Sequence, residues 1–298
     1  MKNKKGIEWG FNWIFAIIIG IFILFLSVYI SFKLFDRGNE FTQTESALKL
    51  ISLLDPAETG IASLKYQKIN FKKETRTYYR CEDIGFGENL IGFSEKTFNQ
   101  FNKGNDVSSL DKYIFAENML EGDLFIFSKQ FYMPFKIADL VFITNKTYCL
   151  IGAPNNIEED IEVIDNFYSD NCEGEKVCFG NSCNSNIKVI GYDPEYKSGY
   201  VDKNGERLYF VDNLIYGAIV SSPENYECNV KRLMNKLIFL IEIYKEKIKI
   251  IKCGENLLSE LNLIETKASS FKLENINEIY DIANSINLKN KYSICGVY

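Results

Sequence analysis

Apolar residues change their spacing repeatedly along this chain, and each change predicts a different kind of element. From Trp13 to Phe32, twenty residues run without a charged side chain. As a helix that stretch would measure about 30 Å, the thickness of a bilayer hydrocarbon core, so the pattern predicts a transmembrane helix over residues 13–33. Phe41, Ala47, Leu48, Ile51 and Leu54 then recur at helical spacing up to Asp55-Pro56, which predicts a stalk helix over 34–60 continuous with that span. Beyond it the period shortens. Tyr66–Phe71, Thr75–Cys81, Leu90–Phe93, Tyr113–Phe115, Leu124–Phe127, Leu140–Thr144 and Thr147–Ile151 read as strands, separated by turns such as Glu121-Gly122-Asp123 and Asn145-Lys146.

After Pro154 a short amphipathic helix is expected over Ile157–Phe167, capped by Asn155 or Asn156. Its acidic stretch Glu158-Glu159-Asp160 reads as a solvated face rather than a calcium site. Asn204-Gly205, flanked by Tyr200–Asp202 and Arg207–Phe210, predicts a hairpin with a type I′ turn. Past Pro223, Val230, Leu233, Leu237, Leu240, Tyr244, Ile248 and Ile251 form one helical stripe. Lys231, Arg232, Lys236 and their charged neighbours are placed on the wet side. Helices at Leu257–Ala268 and Leu273–Ile286 complete a helical hairpin. The expected fold class is α+β: residues 1–12 cytoplasmic, a transmembrane helix continuing into a stalk, an antiparallel β-rich exported domain over 61–222, and a helical region over 223–298.

Cysteine placement fits that division. Cys81, Cys149, Cys172, Cys178, Cys183, Cys228, Cys253 and Cys295 all follow the apolar run, and an even count suits an oxidising exterior with up to four disulfides. Cys172, Cys178 and Cys183 lack the spacing of a zinc knuckle, and the chain has no histidine to complete one. The same lack removes every Ser-His-Asp and Cys-His arrangement. No phosphate loop, nucleophile elbow or metalloprotease motif occurs, so no cofactor and no enzymatic activity are expected. Paired carboxylates of the glycosidase kind are the remaining route to catalysis. Net charge is −6, and the charged residues before Leu34 are four lysines and one glutamate, so the rest is near −9. Nucleic acid is a poor partner for such a domain. The sequon Asn145-Lys146-Thr147 makes Asn145 a candidate glycosylation site at a predicted hairpin tip.

Lys2, Lys4 and Lys5 ahead of the run, against Lys33 and Arg37 after it, favour a cytoplasmic N-terminus by the positive-inside rule. Lys4-Lys5-Gly6 followed by a long apolar helix resembles the class III signal of archaeal type IV pilin-like proteins. That resemblance implies cleavage between Gly6 and Ile7, although Glu8 stands closer to the cut than that family's acidic residue. Pro56-Ala57-Glu58-Thr59-Gly60, Cys178-Phe179-Gly180 and Tyr226-Glu227-Cys228-Asn229-Val230 resemble uncharacterised single-pass membrane proteins of archaea, and that likeness implies no activity. The expected role is a membrane-anchored, exported surface or interaction protein, pilin-like or adhesin-like. Its expected partners are the lipid bilayer and further copies of itself or other surface proteins. An anchored receptor for a small ligand, or a carboxylate-based glycan hydrolase, is the alternative.

Overall fold

The molecule is known from a computed structural model that describes residues 13, 15–30, 47, 48, 50, 66–84, 86–97, 100, 101, 104–169, 172–181, 183–291 and 296–298. The strands of its first half are β1 (Gln67–Ile69), β2 (Thr75–Glu82), β3 (Glu88–Thr97), β4 (Gln100–Phe101), β5 (Val107–Leu110), β6 (Tyr113–Phe115), β7 (Met119–Glu121), β8 (Leu124–Tyr132) and β9 (Lys136–Thr144). In the second half come β10 (Tyr148–Ile151), β11 (Phe167–Ser169), β12 (Glu175–Phe179), β13 (Ile187–Asp193), β14 (Ser198–Lys203) and β15 (Glu206–Val211). The helices are α1 (residues 15–30), α2 (Asn155–Ile161), α3 (Leu214–Val220), α4 (Pro223–Ile251), α5 (Leu258–Ser269) and α6 (Ile276–Lys291).

Strands β1-β8-β9-β6, in that order, form a sheet shared by two cores. Side chains alternate across a strand, so Leu140 and Phe142 of β9 face the larger core while Val141 and Ile143 face the smaller one. In β8 the division is Phe127 and Phe131 against Leu124 and Ile126. The smaller core is closed by the sheet β4-β3-β2-β7, with β5 beside β3. The larger is closed by the sheet β11-β10-β12-β13-β14-β15 and by α3 to α6.

The β4-β3-β2-β7 sheet is antiparallel throughout, whereas the other two are mixed. β10 runs parallel to both β11 and β12, β12 is parallel to β13, and β6 is parallel to β9. Parallel neighbours need crossover connections. One is α2, between β10 and β11. The link from β11 to β12 is tied down by the Cys149–Cys172 disulfide, and the link from β12 to β13 by Cys178–Cys183. β14 and β15 form the hairpin expected around Asn204-Gly205, both with positive φ.

Ser222 caps α4 by accepting a hydrogen bond from the Asn225 amide, with Pro223 opening the helix. Its buried stripe of Val230, Leu233, Leu237, Ile241 and Ile248 faces the larger core, and α5 and α6 fold back as the helical hairpin. Arg232, placed on the wet side from its charge, is fully buried.

The N-terminal expectations require correction. Among the described residues no helix is long and apolar enough to cross a membrane. This overturns the single-pass anchor and everything built on it: the lipid-bilayer partner, the cytoplasmic N-terminus with an extracellular C-terminal domain, and the anchored surface role. The free-standing stalk is corrected too, because Ala47 and Leu50 are buried in the smaller core. Apart from the exposed Leu48, the rest of that segment lies outside the described residues, as do Gly6 and Ile7.

Candidate functional site

α2 is shorter than its apolar spacing suggests. Ile157 and Ile161 are buried, but after Ile161 the chain leaves the helix through two turns, with the Ile164 amide bonding the Ile161 carbonyl and the Phe167 amide the Ile164 carbonyl. Buried Asn166 fixes this bend. Its amide donates to the Lys146 carbonyl, and its own carbonyl accepts from the Tyr148 amide that opens β10. No side chain caps α2, whose N-cap is Pro154 rather than either asparagine.

The bend leaves a groove of about 330 Å³ between α2 and β11. Ile161, Ile164 and Phe167 form its apolar floor, and Glu158, Glu162, Asp165, Tyr168 and Ser169 its walls. Among the described residues no basic residue lines it, and none of the three carboxylates forms an ion pair. Tyr66 sits at the acidic end. Burial raises the pKa of its phenol, and the charges of Asp165 and Tyr168 raise it further. Its ring stacks on Phe125 at 6.0 Å.

Asp160 belongs to a different environment, so the acidic stretch is not one solvated face. Its carboxylate accepts from Lys129 Nζ at 2.7 Å and from the Tyr216 hydroxyl at 2.7 Å, joining β8, α2 and α3. Burial lowers the Lys129 pKa, an effect opposed by Asp160, and burial raises that of Tyr216, reinforced by Asp160. Other buried cations also have internal partners. Lys203 Nζ holds Glu117 at 2.7 Å and the carbonyls of Ile219 and Ser221 at the end of α3, where the helix dipole favours a cation.

Nearby Asp212 is raised above its ordinary pKa, chiefly by burial. A carboxyl shifted upward in the folded state contributes stability while protonated and loses it as pH rises through the folded value. Asp212→Asn is therefore expected to raise the melting temperature at pH 7, with the gain shrinking as the pH is lowered towards 4. The Lys197 contact it removes spans 3.6 Å to a half-exposed lysine and is worth little. Thermal scans across that pH range check this, and a lower melting temperature at pH 7 would refute it.

Cys81–Cys228, Cys149–Cys172 and Cys178–Cys183 are disulfides and Cys253 is also disulfide-bonded, while Cys295 lies outside the described residues. Asn145 is at the β9–β10 turn, with its side-chain amide turned onto the Glu121 carbonyl at 2.9 Å. Among the described residues no group of three or more carboxylate or cysteine side chains is disposed to hold a metal. A wider depression of about 490 Å³ lies along α4, but Glu242, Ile243, Glu246, Lys247 and Ile250 all come from that one helix. It is a furrow on a helix face, whereas the open α2–β11 groove is lined by a helix, a turn and a strand.

No known protein family, no curated protein and no solved structure matches the chain. The pilin-like and archaeal membrane-protein resemblances thus find no matching relative, and the described residues lack the spanning helix they imply.

Proposed function

We infer that this chain is a disulfide-braced binding domain that takes up a cationic group with an aliphatic stem, such as a lysine side chain of a partner, and releases it unchanged. One observation carries this reading: three carboxylates without ion-pair partners among the described residues stand over an apolar floor in a groove of ligand size, with Tyr168 in its wall and Tyr66 beside it. The floor suits methylene groups, the carboxylates suit an ammonium, and tyrosine faces attract cations. The buried ionisable clusters support a non-catalytic role, because Lys129, Lys203 and Asp160 are held by one another, by Glu117 or by backbone carbonyls.

Titration with N-acetyl-lysinamide, followed by NMR, tests the reading. Saturable shifts are expected at residues 158–169 and Tyr66, with millimolar affinity, about 4 kcal/mol. The double variant Glu162→Gln/Asp165→Asn is expected to bind about fivefold or more weakly, since two partly exposed charge contacts are each worth roughly 0.5–1 kcal/mol. Unsaturable shifts, or equal affinity in the variant, would remove the groove from consideration.

A further inference from the structure

The three described bridges differ in what surrounds them. Cys149 and Cys178 are buried, whereas Cys81 and Cys228 are both partly exposed. Cys81, near the end of β2, lies 3.6 Å from Nη1 of Arg232 through its Sγ. Arg232 is fully buried, and among the described residues no carboxylate forms an ion pair with it, although the charges of Asp111 and Asp83 act on it at longer range. Its guanidinium donates to the Phe86 carbonyl at 3.1 Å, the Lys112 carbonyl at 2.8 Å and Asn229 Oδ1 at 3.0 Å, and it stacks over the Tyr113 ring at 5.0 Å. All of these partners are neutral, so the sulfur sits beside a buried positive charge that, among the described residues, has no contacting counterion.

We propose that Cys81–Cys228 is a thiol–disulfide exchange site for dithiols, with Cys81 the sulfur retained as a thiolate against Arg232. A dithiol's thiolate attacks Cys228 Sγ and the S–S bond breaks. The electron pair leaves on Cys81 Sγ, where the guanidinium compensates the new charge. The dithiol's second thiol then attacks the mixed disulfide, closing the reductant into its own disulfide and releasing Cys228. Two electrons pass to the protein; of the dithiol's two protons, one ends on Cys228 and one in solvent. A cation beside a cysteine stabilises its thiolate, and a stabilised reduced form makes a disulfide easier to reduce.

Opening this bridge leaves α4 in place. Asn225 Oδ1 still accepts from the Cys81 amide at 3.2 Å, the Asn225 side-chain amide holds the Ala116 carbonyl at 3.1 Å, and Asn229 holds the Ile114 carbonyl at 2.8 Å. Reduction is therefore a local event that can reverse.

The test equilibrates the native full-length protein in dithiothreitol buffers of graded poise, traps thiols by alkylation, and maps them by mass spectrometry. Cys81–Cys228 is expected to open first, with an equilibrium constant for reduction at least tenfold above those of Cys149–Cys172 and Cys178–Cys183. In the singly reduced protein, alkylation of Cys81 is expected to have a pH midpoint below the ordinary thiol value of about 8.5. Arg232→Lys, which keeps a charge, should retain part of that shift, and Arg232→Met should lose it. The wild-type measurements decide alone should a variant fail to fold. Opening of another described bridge first, or a Cys81 midpoint at or above the ordinary value, would overturn the proposal.

Discussion

Arg232→Met is expected to destabilise the fold by about 3 kcal/mol, because its buried acceptors lose their donors and each unsatisfied buried group costs roughly 1–3 kcal/mol. The Phe86 carbonyl and Asn229 Oδ1 lose the guanidinium outright, while the Lys112 carbonyl keeps a bond from the Asn89 side chain. Burial depresses the Arg232 pKa, so removing the charge recovers some desolvation energy, and this keeps the expected loss well below the sum over three acceptors. Arg232→Lys is expected to fall between, since one ammonium cannot reproduce the planar fork that serves acceptors on three segments. Gly87 lies against this side chain with φ of +89°, and a Cβ there would stand 1.5 Å from Arg232 Nε. Urea unfolding of the oxidised protein measures the loss. A change under 1 kcal/mol for Arg232→Met would mean that the guanidinium's bonds are dispensable.

Phe127→Ala is expected to cost about 3–5 kcal/mol, the range for deleting a fully buried phenylalanine. The ring packs at 4.8 Å from Phe142, 5.5 Å from Phe167 and 5.9 Å from Tyr216. It therefore touches the shared sheet, the strand that walls the groove, and α3. Phe127→Leu fills most of the space and is expected to lose less than half as much. Equal losses in the two variants would indicate that the aromatic contacts, rather than filled volume, dominate here.

Legibility from sequence followed how local the determining contacts are. The run Leu140–Thr144 is apolar without alternation, which is how a strand buried on both faces reads, and it lies within β9. Asn204-Gly205 fixed its hairpin through two adjacent φ angles. α4 was legible as an apolar stripe beyond Pro223. The spacing of Ile157, Ile161 and Ile164 fits one helix through Phe167, yet β10 pairs with Phe167, Tyr168 and Ser169, which draws them out as β11. The parallel pairs of β10, β12 and β13 involve strands of only four, five and seven residues, too short for a periodic signal, and their partners are set across crossovers.

The candidate site was hidden for the same reason. Glu158, Glu162 and Asp165 look like a wet helix face until β11 returns beneath them. Charge alone placed Arg232 outside, whereas its acceptors at Phe86 and Lys112 are 146 and 120 residues away in sequence. The apolar N-terminal run misled in the other direction. Its composition suits a bilayer, but among the described residues no helix is long and apolar enough to cross one, and Ala47 and Leu50 beyond it are packed into the domain.

Selectivity for charge at the α2–β11 groove tests the central claim most directly. N-acetyl-lysinamide and N-acetyl-norleucinamide share a four-carbon stem, and only the first carries an ammonium. NMR titrations of both at low salt are expected to give at least tenfold tighter binding of the lysine compound, about 1.4 kcal/mol. The shifts should map to Glu158, Glu162, Asp165, Tyr168 and Tyr66, and the preference should shrink as salt is raised and screens the exposed carboxylates. Equal affinity for the two compounds, or shifts that map instead to the α4 furrow at Ile243 and Ile250, would contradict a cation-binding groove.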